Sequence, residues 1–463
     1  MRRTDLTSVS HELDKKKREC RVVLETRKGC GNKFNYEPEL EAFTLGGLLP
    51  QGMGVSALFA IPIQTTAQGQ SATPERNNPP HYAVINLGPV GNPPGQPYGI
   101  SNGRLVVGAA AASATVMHAV LWYNALKIDI GAHGLGGPNS AGFGVNELGQ
   151  VVGTAETSTP NNPDFCGFNA YGFPSLTACL PFVWQFGQMS KLPTLGGANR
   201  QALAINNRGE VAGFAETTYA DPDCAVSEFK PVIWERGQIH ELPTYPGDAV
   251  GIPVGINDKG QVVGGSALAH RLTRLVGSTT RITTHCFGRE TARTGTATWA
   301  TAGLRRPLWG ISPVGTNNRG QVVGHSLLPD NATFHAFLWT RETGMQDLGT
   351  LPGDVYSLAI HINDRGEVVG ASLDANFNLY AVLWENGTPV DLNTVVVSNA
   401  AKLTPDLAWP INSSGKIAGL AVTSTGEAHG FLAIRAIGIK LMQRAAGMRD
   451  KTAAKATRRP KRL

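Results

Sequence analysis

The sequence predicts an all-β protein: a seven-bladed β-propeller closed by pairing of its N- and C-terminal strands, with disordered tails. Three observations predict it. One turn motif, Ile-Asn, two polar residues, Gly, a polar residue, Val-Val-Gly, recurs seven times. A small-apolar-apolar-Trp motif precedes six of the copies. The N-terminal end of the repeat region lacks a strand that the C-terminal end has to spare, so pairing the two would remove both exposed edges.

The turn glycines are Gly103, Gly149, Gly209, Gly260, Gly320, Gly366 and Gly415, separated by 46, 60, 51, 60, 46 and 49 residues. The first copy, Ile100 to Gly108, is one residue shorter than the rest. In Ile362-Asn363-Asp364-Arg365-Gly366-Glu367-Val368 the Asn side chain can accept a backbone hydrogen bond and start the turn. Gly366 supplies the left-handed conformation that closes it as a type I turn with a glycine bulge. A calcium loop would need more carboxylates and a distal bidentate Glu.

The Trp motifs end at Trp122, Trp184, Trp234, Trp299, Trp339 and Trp384. A strand such as Ala336-Phe337-Leu338-Trp339 is apolar on both faces, as in a sheet stacked between two others. These tryptophans are read as blade core, not as a platform for bases or sugars. After each come a Gly-containing turn, a short strand such as Met345 to Leu348, and a Gly/Pro-rich turn. Each unit is thus four short strands, and four-stranded repeats of about 40–50 residues are the mark of a propeller. The first copy has a strand at Tyr82 to Leu87 and no Trp strand; the chain's last strand, His429 to Ile434, has no successor.

The combination His335-Ala336-Phe337-Leu338-Trp339, Asp347-Leu348-Gly349-Thr350-Leu351 and Ile362 to Gly370 resembles the HAF family of bacterial extracellular repeat proteins. The resemblance covers roughly 82–434 and is strongest over 335–372. His-Ala-Phe is intact at 335–337, partial at His118 and His429, and lost in the degenerate repeat near Trp299. His118, His335 and His429 share one position and are read as solvent-facing. The resemblance implies an exported repeat protein and supplies no catalytic residues.

Composition agrees. Charged residues are 16% of the 463, against roughly 25% in an average domain. With 55 glycines this excludes a coiled coil and a wholly disordered chain. No apolar window is long enough for a transmembrane helix. The net charge of +6 comes from two basic tails around an acidic body. The domain reading is a charged, disordered extension at 1–41, a signal-like apolar segment at 42–73, a linker at 74–81, the propeller at 82–434 and a basic tail at 435–463.

Three connections stand out for length: 158–179, 218–229 and 268–294. They would emerge on one rim and hold Cys166, Cys179, Cys224 and Cys286. These are disulfide candidates, Cys166–Cys179 first and Cys224–Cys286 second; zinc is the alternative, without a Cys-x-x-Cys pair to support it. The last connection carries Arg271, Arg274, Arg281, Arg289 and Arg293 with His285. They form the candidate rim site for an anionic partner, since guanidinium groups pair with carboxylates through two parallel bonds. The blander reading is neutralisation by Asp221, Asp223 and Glu228 in the adjacent connection.

Nucleophile-elbow, zinc-protease, phosphate-loop and dinucleotide motifs are missing, so no catalytic, metal or cofactor residue is assigned. The expected function is an exported, monomeric, non-enzymatic scaffold, secreted or held in a bacterial envelope. It would bind a protein or glycan through the long-loop rim, with no nucleic acid and no cofactor. The alternatives are a propeller enzyme acting on glycans and a purely structural surface protein.

Overall fold

The computed structural model describes residues 80–436, apart from 92–94, 132–134, 161–167, 169–172, 174, 176, 221–226, 245–247, 268–285, 290–296, 301–310 and 331. The N-terminal extension, the signal-like segment and all but the start of the basic tail lie outside the described residues, as does most of the linker.

After β1 (Tyr82–Pro89), the first blade is β2 (Pro97–Ile100), β3 (Leu105–Ser113), β4 (Val116–Tyr123) and β5 (Leu126–Asp129). The next is β6 (Gly136–Val145), β7 (Val151–Pro160), β8 (Thr177–Gln185) and β9 (Gln188–Lys191). The third is β10 (Gly196–Ile205), β11 (Val211–Ala220), β12 (Ser227–Glu235) and β13 (Gln238–Glu241). Two hairpins follow, β14 (Val250–Ile256) with β15 (Val262–Ala267), and β16 (Cys286–Arg289) with β17 (Ala297–Ala300). Then come β18 (Ile311–Thr316), β19 (Val322–Leu327), β20 (Phe334–Thr340) and β21 (Gly344–Asp347). The following blade is β22 (Tyr356–Ile362), β23 (Val368–Leu373), β24 (Leu379–Glu385) and β25 (Thr388–Asp391). A 3₁₀ turn at Leu392–Val395 leads to β26 (Val396–Asn399), β27 (Thr404–Ile411), β28 (Ile417–Val422) and β29 (Ala428–Arg435).

The molecule is an all-β propeller, but the expected count of seven blades is corrected. Among the described residues six sheets have four or five strands, and the repeat around 250–300 supplies only two separate hairpins. That repeat is the degenerate one. Its Trp strand is cut to the four residues Ala297–Ala300, which pair with Cys286–Arg289 rather than with β15. The first strand joins the last sheet: β1 runs antiparallel to β29, from Tyr82 opposite Arg435 to Pro89 opposite His429, and parallel to β26.

Blade-to-blade packing is apolar. Trp122, Trp234 and Trp384 are buried to within 1%. Each indole N–H donates, at 2.9 Å, to a carbonyl ahead of its own blade's inner strand or of the blade before: Leu87, Pro193 and Leu348. Burying the ring while satisfying its one donor accounts for Trp in these three blades. Trp184 and Trp339, at the same place, are only partly buried.

Every inner strand carries a β-bulge about three residues before its turn. Register shifts fall at Pro97/Gly99, Gly142/Gly144, Ala202/Ala204, Pro253/Gly255, Pro313/Gly315, Ala359/His361 and Ala408/Ile411. The bulge brings its backbone against the second strand. A Cβ on Gly370 would lie 1.8 Å from the Leu358 carbonyl oxygen, and one on Gly419 would lie 1.9 Å from that of Leu407. This close approach is why the motif ends Val-Val-Gly, and it is a separate requirement from that of the turn glycine.

Candidate functional site: the axial cavity

A cavity of about 250 Å³ runs along the axis between the inner strands. A bulge leaves one residue unpaired and re-aims its side chain. Here the unpaired residues Tyr98, Phe143, Leu203, Val254, Val314, Ile360 and Trp409 (the last with Pro410 unpaired beside it) line the cavity as an apolar belt. Tyr98 meets Phe143 and Trp409 edge-on, with ring centroids 5.2 and 5.5 Å apart. The next position along is small, Gly99, Gly144, Ala204, Gly255 and Gly315, until His361 places an imidazole there. Burial depresses the His361 pKa to about 4, against a hydrogen bond to the Ile411 backbone and the Asp364 charge, which raise it. The imidazole is therefore neutral near pH 7.

One end of the cavity is built from the repeat turns. In each standard turn the Asn side-chain oxygen accepts from the N–H groups two and four residues on, as Asn363 does from Arg365 (3.0 Å) and Glu367 (3.1 Å). Gly366 N–H donates to the Asn363 carbonyl at 3.0 Å with φ 85°. Gly149, Gly209, Gly260, Gly320 and Gly415 repeat that conformation, with φ from 73° to 79°; Gly103, in the shortened copy, lies outside it.

The same asparagines do something the sequence reading missed. Their amide nitrogens reach the next blade. Asn146 donates to Asn206 O (3.1 Å), Asn206 to Asn257 O (3.0 Å) and Asn257 to Asn317 O (2.7 Å). Asn317 donates to Asn363 O (2.9 Å), Asn363 to Asn412 O (3.0 Å) and Asn412 to Ser101 O (2.8 Å). Ser101 has no amide to continue the series; there the Glu147 carboxylate accepts from the N–H groups of Asn102 and Gly103. The signal was an Asn repeated where Asp or Ser would start a turn equally well.

The residues just after them, Asn102, Glu147, Asn207, Asp258, Asn318, Asp364 and Ser413, line the mouth and bond to one another. Asn318 Nδ2 donates to both Asp258 Oδ2 (3.1 Å) and Asp364 Oδ2 (2.9 Å). Asp258 Oδ1 accepts from Asn207 N at 2.8 Å, and Asp364 Oδ1 from Asn318 N at 2.8 Å. The mouth is thus acidic, and its carboxylates are held in place by amides.

The sequence-predicted site residues are not brought together by the described structure. Arg271, Arg274, Arg281, His285 and Arg293 lie outside the described residues, and Arg289 contributes only its backbone, to β16. Asp221 and Asp223 lie outside as well; Glu228 pairs with Lys230 at 2.9 Å. Cys166 and Cys224 also lie outside, and Cys286 is described by its backbone alone; Cys179, buried beside Phe168 and Phe173, is bonded in a disulfide, as its candidacy predicts. The shared histidines are not free solvent-facing groups. His118 Nδ1 contacts Asp129 at 2.8 Å and His335 Nδ1 contacts Asp347 at 3.0 Å, each tying third strand to fourth. His429 Nδ1 meets Asn86 Oδ1 at 2.9 Å across the β1–β29 pair.

No family model matches the chain, and no curated protein does. Solved structures of similar shape include a puromycin-hydrolysing peptidase of Mycobacterium tuberculosis (12% identity, TM-score 0.45, 76% of this chain and 56% of that one). Others are AofleA of Arthrobotrys oligospora (10%, 0.37, 67% and 87%) and Trypanosoma rangeli sialidase (9%, 0.34, 80% and 57%). The chain spans little more than half the length of the peptidase and of the sialidase. At these scores none bears on what this chain does. Among the described residues no helix is long and apolar enough to cross a membrane, and no three His, Cys, Asp or Glu side chains gather as a metal site.

Proposed function

We propose that the chain is an exported, closed-ring binding scaffold of the HAF-repeat type, engaging its ligand through the face opposite the repeat turns. The observation that carries this is the contrast between the two faces. The turn face repeats one turn in six of its seven copies, and the asparagine amides of those turns are committed to bonds between blades. The other face bears the connections between second and third strands, which vary in length from two residues between β3 and β4 to sixteen between β7 and β8, while eighteen residues separate β15 from β16. Rigid scaffolds place recognition on such loops. The arginine-rich connection suits an anionic partner. Removing residues 270–292 should abolish retention of the full chain on a polyglutamate column at low salt; unchanged retention overturns the arginine-loop reading. N-terminal sequencing of chain recovered from the medium tests export, which predicts a mature start beyond residue 40.

One observation favours a second reading, hydrolysis of glycans at the acidic mouth. Two bonds to one Asn318 nitrogen hold Asp258 and Asp364 within about 6 Å, near the separation used by retaining glycosidases. Both carboxylates already accept bonds from neighbouring turns, which favours the binding reading. Nitrophenyl-glycoside hydrolysis lost in Asp364→Asn would reverse that preference.

A further inference from the structure

On the connection face, four aromatic rings form a column across two blades. His325 in β19 meets Phe334, which opens β20, with centroids 5.9 Å apart at 61°. Phe334 stacks on Tyr356, which opens β22, at 4.8 Å and 28°. Tyr356 stacks on Phe377, in the β23–β24 connection, at 4.9 Å and 11°. The inner three rings are partly buried and pack one blade on the next. Phe377 is not needed for that and is 44% exposed.

Its backbone makes the same point. Residues 374–378 form a turn in which Phe377 N–H donates to the Asp374 carbonyl and Phe377 has φ 63°. In the equivalent turn of the last blade, Thr423 to Glu427, that left-handed position is held by Gly426 at φ 79°. A bulky side chain at positive φ is costly, and such residues collect where a surface contacts ligand. The fold would be served by glycine; a stacked, exposed aromatic ring stands there instead.

The chemistry around the ring narrows the ligand. The turn contributes Asp374 and the exposed side chain of Asn376, and the preceding blade's connection contributes Asp330 and Thr333 ahead of Phe334. The described residues of these two connections include no cation and carry two carboxylates, which disfavours phosphate-bearing or acidic ligands. A column of near-parallel rings ends in one flat face, whereas a small organic cation is held by several rings set around it. A flat, neutral ring with hydroxyl groups at its edge fits both features. The aromatic face takes its C–H surface, and amide and carboxylate oxygens take the hydroxyl protons.

We propose that Phe377, backed by Tyr356 and Phe334, is a stacking platform for the sugar ring of a neutral polysaccharide, with Asn376 beside it as the hydrogen-bonding group. The platform shares its face with the binding scaffold proposed above but not the arginine loop, so the two readings can fail separately.

The test is affinity electrophoresis of the full chain through gels containing laminarin, xylan or hydroxyethylcellulose. The wild-type chain should be retarded in at least one. Phe377→Gly, which copies Gly426, should weaken that retardation at least tenfold while leaving the thermal midpoint within about 2 °C. Phe377→Tyr should retain it, and so should a chain lacking 270–292. Retardation by none of the three overturns the proposal, as does equal retardation of Phe377→Gly, or binding of tetramethylammonium in place of sugar. Loss on removing 270–292 with Phe377→Gly unaffected would move the site to the arginine loop.

Discussion

Asn363–Glu367 and Asp374–Asn378 are the same turn built at opposite ends of the β22–β25 blade. In each, the fourth residue's N–H donates to the first residue's carbonyl, at 3.0 Å in both, and the first residue's N–H donates to the fifth residue's carbonyl, at 3.0 and 3.3 Å. In each, the first side chain's Oδ1 accepts from the third and fifth N–H groups. The backbone thus treats Asn and Asp alike. The difference lies in the atom left over. Asn363 has an amide nitrogen, which reaches Asn412 O in the next blade at 3.0 Å. Asp374 has a second carboxylate oxygen, which can only accept and binds Asn378 Nδ2 of its own turn at 2.7 Å. One atom decides whether a turn ends a hairpin or joins two blades.

The sharpest way to break this comparison is Asn363→Asp. The turn's acceptor is kept, but the donor to Asn412 O is lost, and a carboxylate is set in a buried position against that carbonyl and against Glu367. Asn363 Nδ2 now donates to Glu367 Oε2 at 2.6 Å, so the substitution turns attraction into repulsion. Two lost bonds and a second buried carboxylate beside Glu367, offset in part by the Arg365 and Arg435 guanidinium groups already on Glu367, should cost about 2 kcal/mol. The penalty should shrink as pH falls and the new carboxyl takes up a proton. Denaturant titration at pH 7 and pH 4.5 checks both the size and the direction; a cost under about 0.5 kcal/mol would mean that the inter-blade bond contributes nothing.

That contrast also marks how far sequence reading reaches. The turn chemistry was legible because Asn and Gly at fixed spacing have a local cause. The Trp strand was legible because apolarity on both faces has one geometric meaning. The amide's second bond was not, since its acceptor lies 49 residues away in Asn412 and nothing local distinguishes an asparagine that starts a turn from one that also spans blades. The bulges were hidden for a related reason. Tyr98, Leu203 and Trp409 share no residue type, and only the glycines opposite, such as Gly370, record that the inner backbone comes close. The blade count failed where the repeat around 250–300 keeps its turn but not the pattern of its outer strands. The rim arginines have no repeat to constrain them, and the described structure does not reach most of them.

The two faces also differ in what lies between them, and pH probes that. His361 in the axis and His325 in the aromatic column are both held neutral by burial, with pKa near 4. In the unfolded chain each would titrate near 6.5, so between pH 6.5 and 4 the unfolded state binds more protons and stability falls as pH falls. Asp406, pushed up to about 6 by burial, works in the opposite sense over part of that window and offsets one histidine in part. The net loss should be about 3 kcal/mol, read as a falling thermal midpoint from pH 7 to pH 4.5. His361→Ala, which copies Ala204 at the equivalent position, should remove most of that fall, because Asp406 already offsets the greater part of the other histidine's contribution. An unchanged slope would assign the acid sensitivity elsewhere.

The smallest expected effect completes the comparison. Asp374→Asn gives the connection-face turn the side chain used at the turn face. The Oδ1 acceptor survives, and the Asn378 amide can rotate to present its oxygen to the new nitrogen. No inter-blade acceptor waits there, so the added donor gains nothing, and the thermal midpoint should stay within about 1 °C of the wild type. The two substitutions are chemical inverses on one backbone conformation, so propensity for the turn cancels between them. If Asp374→Asn proved as damaging as Asn363→Asp, turn chemistry alone would explain both, and the amide bonds between blades would be a consequence of packing rather than what holds neighbouring inner strands in place.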